Sequence, residues 1–157
     1  MKKFLVTLLV TMLFLIFGVT FVLTRSLSPY NQAKAETIEL AERRADLVES
    51  DEFYWFNGDE TFFTITGENS EGTPIVVIVQ QDGGAIQVFN QEEVISEREA
   101  VAATYNRENP EKILEPRIGM YKNEPVWEVS FRLENGRIGY TVFSLTTGEW
   151  LRTIKNI

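Results

Sequence analysis

The chain contains no cysteine and no histidine. Without Cys there is no disulfide, no thiolate nucleophile and no cysteine-ligated zinc or iron-sulfur site. Without His there is no imidazole base, no imidazole metal ligand and no side chain whose ordinary pKa lies near neutrality. Proline is scarce, at 5 in 157 residues, and basic residues are outnumbered, 15 Lys and Arg against 23 Asp and Glu. A chain of 157 residues holds one ordinary domain or two very small ones, which excludes a multidomain enzyme. The acidity is concentrated, because the residues after 25 carry all 23 acids against 12 bases, a net charge of −11. No nucleic acid partner is expected on that ground, since affinity for it comes largely from Lys and Arg neutralising phosphates. Anionic headgroups repel such a domain too, so it is expected to stand off a bilayer surface.

What the amino end has in abundance is hydrophobicity. Residues 4–23 read FLVTLLVTMLFLIFGVTFVL, 20 residues without a charge. A helix of that length rises about 30 Å, the thickness of a hydrocarbon core. Lipid offers no partners to backbone N–H and C=O groups, so the run is expected to cross the membrane once as a helix. It exceeds the apolar core of a secretory signal, about 7 to 15 residues. The small-x-small sequence Ala33-Lys34-Ala35 lies well beyond it, and no Cys follows for lipid attachment, so a retained anchor is expected. Lys2 and Lys3 precede the run, and Arg25 and Lys34 follow it. A short basic stub ahead of a signal-anchor stays in the cytoplasm, which places the chain at the cell membrane with its bulk extracytoplasmic.

Beyond the run, Ser28-Pro29 predicts a fresh helix over 29–49, with Ile38, Ala41, Ala45 and Val48 on one side and Glu36, Glu39, Glu42, Arg43 and Glu49 over much of the rest. From Phe53 the period shortens. FYWFN, ETFFTITGEN, PIVVIVQQ and AIQVFN read as strands, separated by Asn57-Gly58, by residues 70–73 and by Asp82-Gly83-Gly84, which are expected to supply positive φ angles. The design then repeats. Ser96 and Glu99 form a capping box, Ile95 and Ala100 occupy staple positions, and the helix continues to Asn109-Pro110. KILEPRIGMY, PVWEVSFRLEN, RIGYTVFSL and EWLRTI follow as strands, with turns at Lys122-Asn123, Asn135-Gly136 and Thr147-Gly148. Pro74 and Pro125 are expected to open equivalent strands, and Asp82-Gly83 and Asn135-Gly136 to mark equivalent turns. Trp127, Val129, Phe131 and Leu133 alternate with Glu128, Ser130 and Arg132, predicting one dry face and one wet. The predicted fold class is α+β: an amino-terminal transmembrane helix, then two tandem small units of one helix and an antiparallel sheet. The expected divisions are 1–25, 26–90 and 91–157, with each helix lidding its own sheet. Units of about 60 residues are marginal alone, so the two are expected to pack together.

Candidate sites are few. Consecutive strand residues face opposite ways, so Phe53, Tyr54, Trp55 and Phe56 place large rings on both faces of one strand. The run reads either as a partner-contact patch or as core and packing between the units; Tyr121 and Trp150 read the same way more weakly, with core or rim favoured for both. The acid pairs Asp51-Glu52, Asp59-Glu60 and Glu92-Glu93 invite a two-carboxylate glycosidase reading. All three lie in or beside predicted turns, where acids are solvated, and so short a chain leaves little room for a sugar-sized cleft. No enzymatic activity, catalytic residue, metal, cofactor or small-molecule substrate is therefore expected; neither an EF-hand spacing nor a phosphate-binding glycine motif occurs.

The single span, the helix ending near Val48, and the stretches FYWFNGDETFFTITGEN, ISEREAVAATY and above all PVWEVSFRLENGRIGYTVFSLTTGEWLRTI resemble the YpmB or TseB-like cell-wall elongation regulators of Gram-positive bacteria. The second unit is also similar to PepSY modules, and the resemblance implies tandem cystatin-like or PepSY-like units. It further implies a non-enzymatic accessory protein of peptidoglycan elongation, acting by protein-protein interaction with a penicillin-binding protein or another protein of the elongation machinery. It brings no catalytic or ligand residues. The PepSY-like unit leaves a second reading, an inhibitor or chaperone of an extracytoplasmic peptidase.

Overall fold

The computed structural model describes the backbone of residues 2–155, and the side chains of residues 2–8 and 22–27 lie outside the described set. The chain divides into two compact units, Met1–Glu36 and Thr37–Ile157. The first is helical, and every described side chain from 9 to 21 is exposed, including Leu9, Phe14 and Phe17. Among the described residues no helix is long and apolar enough to cross a membrane. The predicted span covers 4–23, so part of it lies outside the residues whose side chains are described.

Helix α1 (Lys2–Ala45) does not restart at Ser28-Pro29 as predicted; it runs on with Pro29 inside it. Proline removes one helical donor, and the Gln, Ala, Lys and Glu residues that follow, strong helix formers, carry the helix past it. The helix also stops short of Glu49. Asp46 takes φ 57°, a left-handed conformation that Asp tolerates and that ends α1. The Asp46 carbonyl accepts from Ser70 N at 3.1 Å, and its carboxylate accepts from the Ser70 hydroxyl. Val48 and Glu49 consequently belong to the first strand.

The second unit is α+β with two four-stranded antiparallel sheets, each in sequential order. Strands β1 (Leu47–Asn57), β2 (Thr61–Asn69), β3 (Pro74–Gln80) and β4 (Ile86–Asn90) make the first sheet. A single 3-10 turn at Gln91–Glu93 leads to α2 (Glu97–Glu108), and β5 (Lys112–Tyr121), β6 (Glu124–Arg132), β7 (Ile138–Ser144) and β8 (Trp150–Lys155) make the second sheet. The α2 capping box forms as predicted: Ser96 N donates to Glu99 Oε2 at 2.7 Å, and Glu99 N donates to Ser96 Oγ at 3.3 Å. Asn109, at φ 45°, ends the helix.

The repeat is one of layout, but the equivalences expected from the sequence are displaced by one strand. Pro74 opens the third strand of its sheet, whereas Pro125 lies in the second strand of the other. Asp82-Gly83 likewise joins β3 to β4, while Asn135-Gly136 joins β6 to β7. Prolines at strand starts and Gly turns serve any hairpin, so they carry no information about which hairpin it is. Asn57-Gly58 also departs from expectation, because neither residue takes a positive φ. Glycine answers there to crowding: an added Cβ would lie 2.8 Å from the Phe56 ring.

Both faces of the first sheet are buried. Pairing of Phe56 with Phe62 and of Thr64 with Ile78 places Tyr54, Phe56, Phe62, Thr64, Val76 and Ile78 on one face. That face joins one core with Ile118, Trp127, Val129 and Ala100, so the two sheets pack together. Thr64 Oγ1 donates to the Ile118 carbonyl at 3.1 Å across this contact. On the opposite face Phe53, Phe63, Ile65 and Val77 are buried. In the second sheet α2 packs against β5 and β6, and the face of Trp127, Val129 and Phe131 is dry as predicted. Its other face is not simply wet. Ser130 is buried, donating from Oγ to the Glu115 carbonyl at 2.9 Å, and Glu128 is half-buried against Arg117.

Candidate functional site

The aromatic run of β1 divides as strand geometry requires. Phe53 is 8% exposed and stacks on Phe63 at 6.0 Å; Phe56 is 2% exposed. Phe56 is pressed onto β5, where a Cβ on Gly119 would fall 2.1 Å from Phe56 Cγ, and only glycine admits the ring. Tyr54 is half-buried and meets Trp127 edge-on at 5.4 Å. Trp55, also half-buried, meets Phe63 edge-on at 5.1 Å and donates from Nε1 to Asn57 Oδ1 at 2.9 Å. The structure thus assigns Phe53 and Phe56 to packing and leaves Tyr54 and Trp55 partly at the surface.

Tyr121 ends β5 beside the tip of the β1–β2 hairpin. Between the turn at residues 57–60 and the turn at Lys122-Asn123 lies a groove of about 520 Å³, lined by Phe56, Phe62 and Met120 as well as Tyr121. Asp59 and Glu60 occupy one hairpin tip; Lys122 and Arg152 supply the opposite charge. The Arg152 guanidinium lies 4.0 Å from the Tyr121 ring centroid, a cation-π arrangement that holds its head flat on the ring. Arg152 Nε is buried without a hydrogen-bond partner. Lys122 and Asn123 can form so tight a turn because both take positive φ, 51° and 65°. Aromatic floor, fixed guanidinium and carboxylates at the tips can hold a polar segment in one orientation. Phe56 and Tyr121 stand out in the sequence as aromatics, whereas Arg152 follows an ordinary strand pattern in EWLRTI. It is on β8, at the opposite edge of the sheet from the β5 residue Tyr121, and its guanidinium nevertheless lies on the Tyr121 ring.

The second sheet also carries a half-buried ion pair. Arg117 Nη2 lies 3.6 Å from Glu128 Oε1, with side-chain exposures of 20% and 13%. Burial pushes the Glu128 carboxyl above its ordinary value, by more than the Arg117 and Arg152 cations pull it down. Of the acid pairs, Asp59-Glu60 stands at the hairpin tip and Glu92-Glu93 in the 3-10 turn, both exposed. Asp51-Glu52 lies within β1, where the register shifts between Ser50 and Phe53. Among the described residues no group of three Asp or Glu side chains is placed to hold a metal ion.

Comparison with known proteins agrees across three kinds of evidence. Residues 36–80 match the model of the family described as "Cell wall elongation regulator TseB-like domain". A Bacillus subtilis protein described as "Probable cell wall elongation regulator TseB" is 29% identical over 150 residues, covering 88% of this chain and 92% of that one. The solved structure of the YpmB protein from Bacillus subtilis superposes with a TM-score of 0.68 at 27% identity, over 80% of this chain and 95% of that chain. In sequence over most of its length and in its two sequential four-stranded sheets, the chain is similar to the TseB-like cell wall elongation regulators.

Proposed function

We propose that this chain is a membrane-anchored, extracytoplasmic regulator of peptidoglycan elongation, and that it acts without catalysis by binding a protein of the elongation machinery, a penicillin-binding protein. The observation that carries the role is the similarity over 88% of the chain to a protein named as a cell wall elongation regulator. The anchor rests on the uncharged run at 4–23 and on the exposure of its described side chains. A water-exposed helix would pair apolar with polar faces, whereas Leu13, Phe14, Leu15, Ile16 and Phe17 are exposed in succession. The groove beside Tyr121 supports binding, since its cation and rings are held in place before any partner arrives.

The test is photocrosslinking in intact cells, with the full chain carrying a photoreactive residue in place of Trp55 or Tyr121. The expected product joins the chain to a peptidoglycan-synthesising enzyme. Repeated recovery of the unlinked chain, with a control probe at an exposed position equally silent, contradicts the reading.

A further inference from the structure

A second cleft opens where β1 meets the start of α2, and no positive charge lines it. Its volume is about 280 Å³, and its floor is made of the buried side chains Val76, Ile118, Trp127 and Leu145. Asp51, Glu52 and Glu97 stand exposed around the mouth, and among the described residues none of the three is in an ion pair. The β1 irregularity puts two of them there. Between Ser50 and Phe53 the register shifts, so Asp51 and Glu52 have no cross-strand partner, and Glu52 N donates instead to Thr66 Oγ1 at 3.1 Å. Bulges of this kind re-aim side chains out of a regular ladder.

The walls are fixed by contacts already made. The Tyr54 hydroxyl donates to Glu97 Oε2 at 3.3 Å, and Trp127 Nε1 donates to the Ile95 carbonyl at 2.8 Å. Burial chiefly, and then the Glu97 and Glu52 charges, push the Tyr54 hydroxyl well above its ordinary value. At about 280 Å³ the space falls at the lower limit of small-molecule sites and suits one long side chain. An apolar floor beneath an anionic rim complements an alkyl stem ending in a cation.

Building on the reading of this chain as a protein-binding regulator, we propose that the cleft docks one basic side chain, lysine or arginine, of the protein partner. The stem lies on Ile95 and Trp127 and the cation sits among Asp51, Glu52 and Glu97. Charge complementarity selects the guest, and the β1 irregularity supplies two of the three carboxylates.

The experiment titrates the nitrogen-15-labelled full chain, in detergent micelles, with three peptides of sequence GSLXVSG in which X is lysine, arginine or norleucine, following the Trp127 indole N–H. The basic peptides are expected to shift that resonance with a midpoint about tenfold below that of the norleucine peptide. Combining Glu52→Gln with Glu97→Gln is expected to weaken the basic peptides about fivefold, while Glu71→Gln in the β2–β3 turn leaves them unchanged. An equal response to all three peptides overturns the proposal, as does indifference to the double substitution. A shift produced by spermidine but by no peptide also overturns it, in favour of a small-polyamine site. Failure of the titration with cellular crosslinking intact removes this cleft alone, whereas peptide binding without crosslinking upholds the cleft's chemistry and removes the broader role.

Discussion

Two glycines and one serine hold positions where a single atom decides the outcome. Gly119 and Phe56 are the clearest pair, because the ring occupies the space a β5 side chain would fill. Gly119→Ala is expected to cost about 1–3 kcal/mol by overpacking. In a Phe56→Ala background the same change should cost far less, so a double-mutant cycle by urea unfolding will show strong non-additivity. Simple additivity would mean the ring and the glycine are not in contact. Gly67 is constrained by backbone, its absent Cβ lying 1.9 Å from the Glu49 carbonyl where β1 bends. At the start of α2, Ser96→Ala removes the acceptor of Glu99 N and is expected to destabilise by about 1 kcal/mol. The hydrogen bonds from Ser96 hold the Glu99 carboxyl below its ordinary value. This contribution is present above the ordinary carboxyl range and is lost as pH falls through the lowered value, so the Ser96→Ala deficit should shrink in acid, measured by denaturation across that range.

The second sheet's mixed face yields a pH prediction of opposite sign. Glu128 keeps its proton to a higher pH when folded than when unfolded, because burial outweighs its two arginine neighbours. From the ordinary value of 4.5 upward the folded state binds more protons, so stability falls as pH rises through that window. Glu128→Gln cannot titrate, and the variant's unfolding free energy relative to the parent should therefore rise as pH increases above the ordinary carboxyl value of 4.5. A difference independent of pH would show that Glu128 is solvated after all.

At this scale much of the fold was legible. Alternation in PVWEVSF, the turn residues and the Ser96 capping box are local signals, and the sheets and α2 follow them. What was illegible came from contacts distant in sequence. Asp46 ends α1 through a left-handed conformation that no glycine announces, and its partner Ser70 lies across the sheet. Pro29 read as a boundary because its local effect is to break helices, yet the residues around it sustain the helix. The half-buried Glu128 feels the charges of Arg117 on the adjacent β5 and of Arg152 on β8, two strands away. The candidate groove shows the same division: aromatic bulk at Phe56 and Tyr121 stood out, whereas Arg152 became visible only through its place on the Tyr121 ring.

In the proposed function, attachment at 4–23 would hold the acidic module near its partner. A tether replaces bimolecular encounter with an effective concentration set by its reach, so a weak contact would suffice. Lys122, Arg152 and the acidic mouth at Glu97 are the charged groups such a contact would use. The most direct measurement is the rate of sidewall peptidoglycan labelling in cells that lack this chain and carry either the full chain or residues 26–157 exported in soluble form at equal abundance. The full chain should restore labelling and the detached form should lose most of that effect. Full restoration by the detached form would contradict the account.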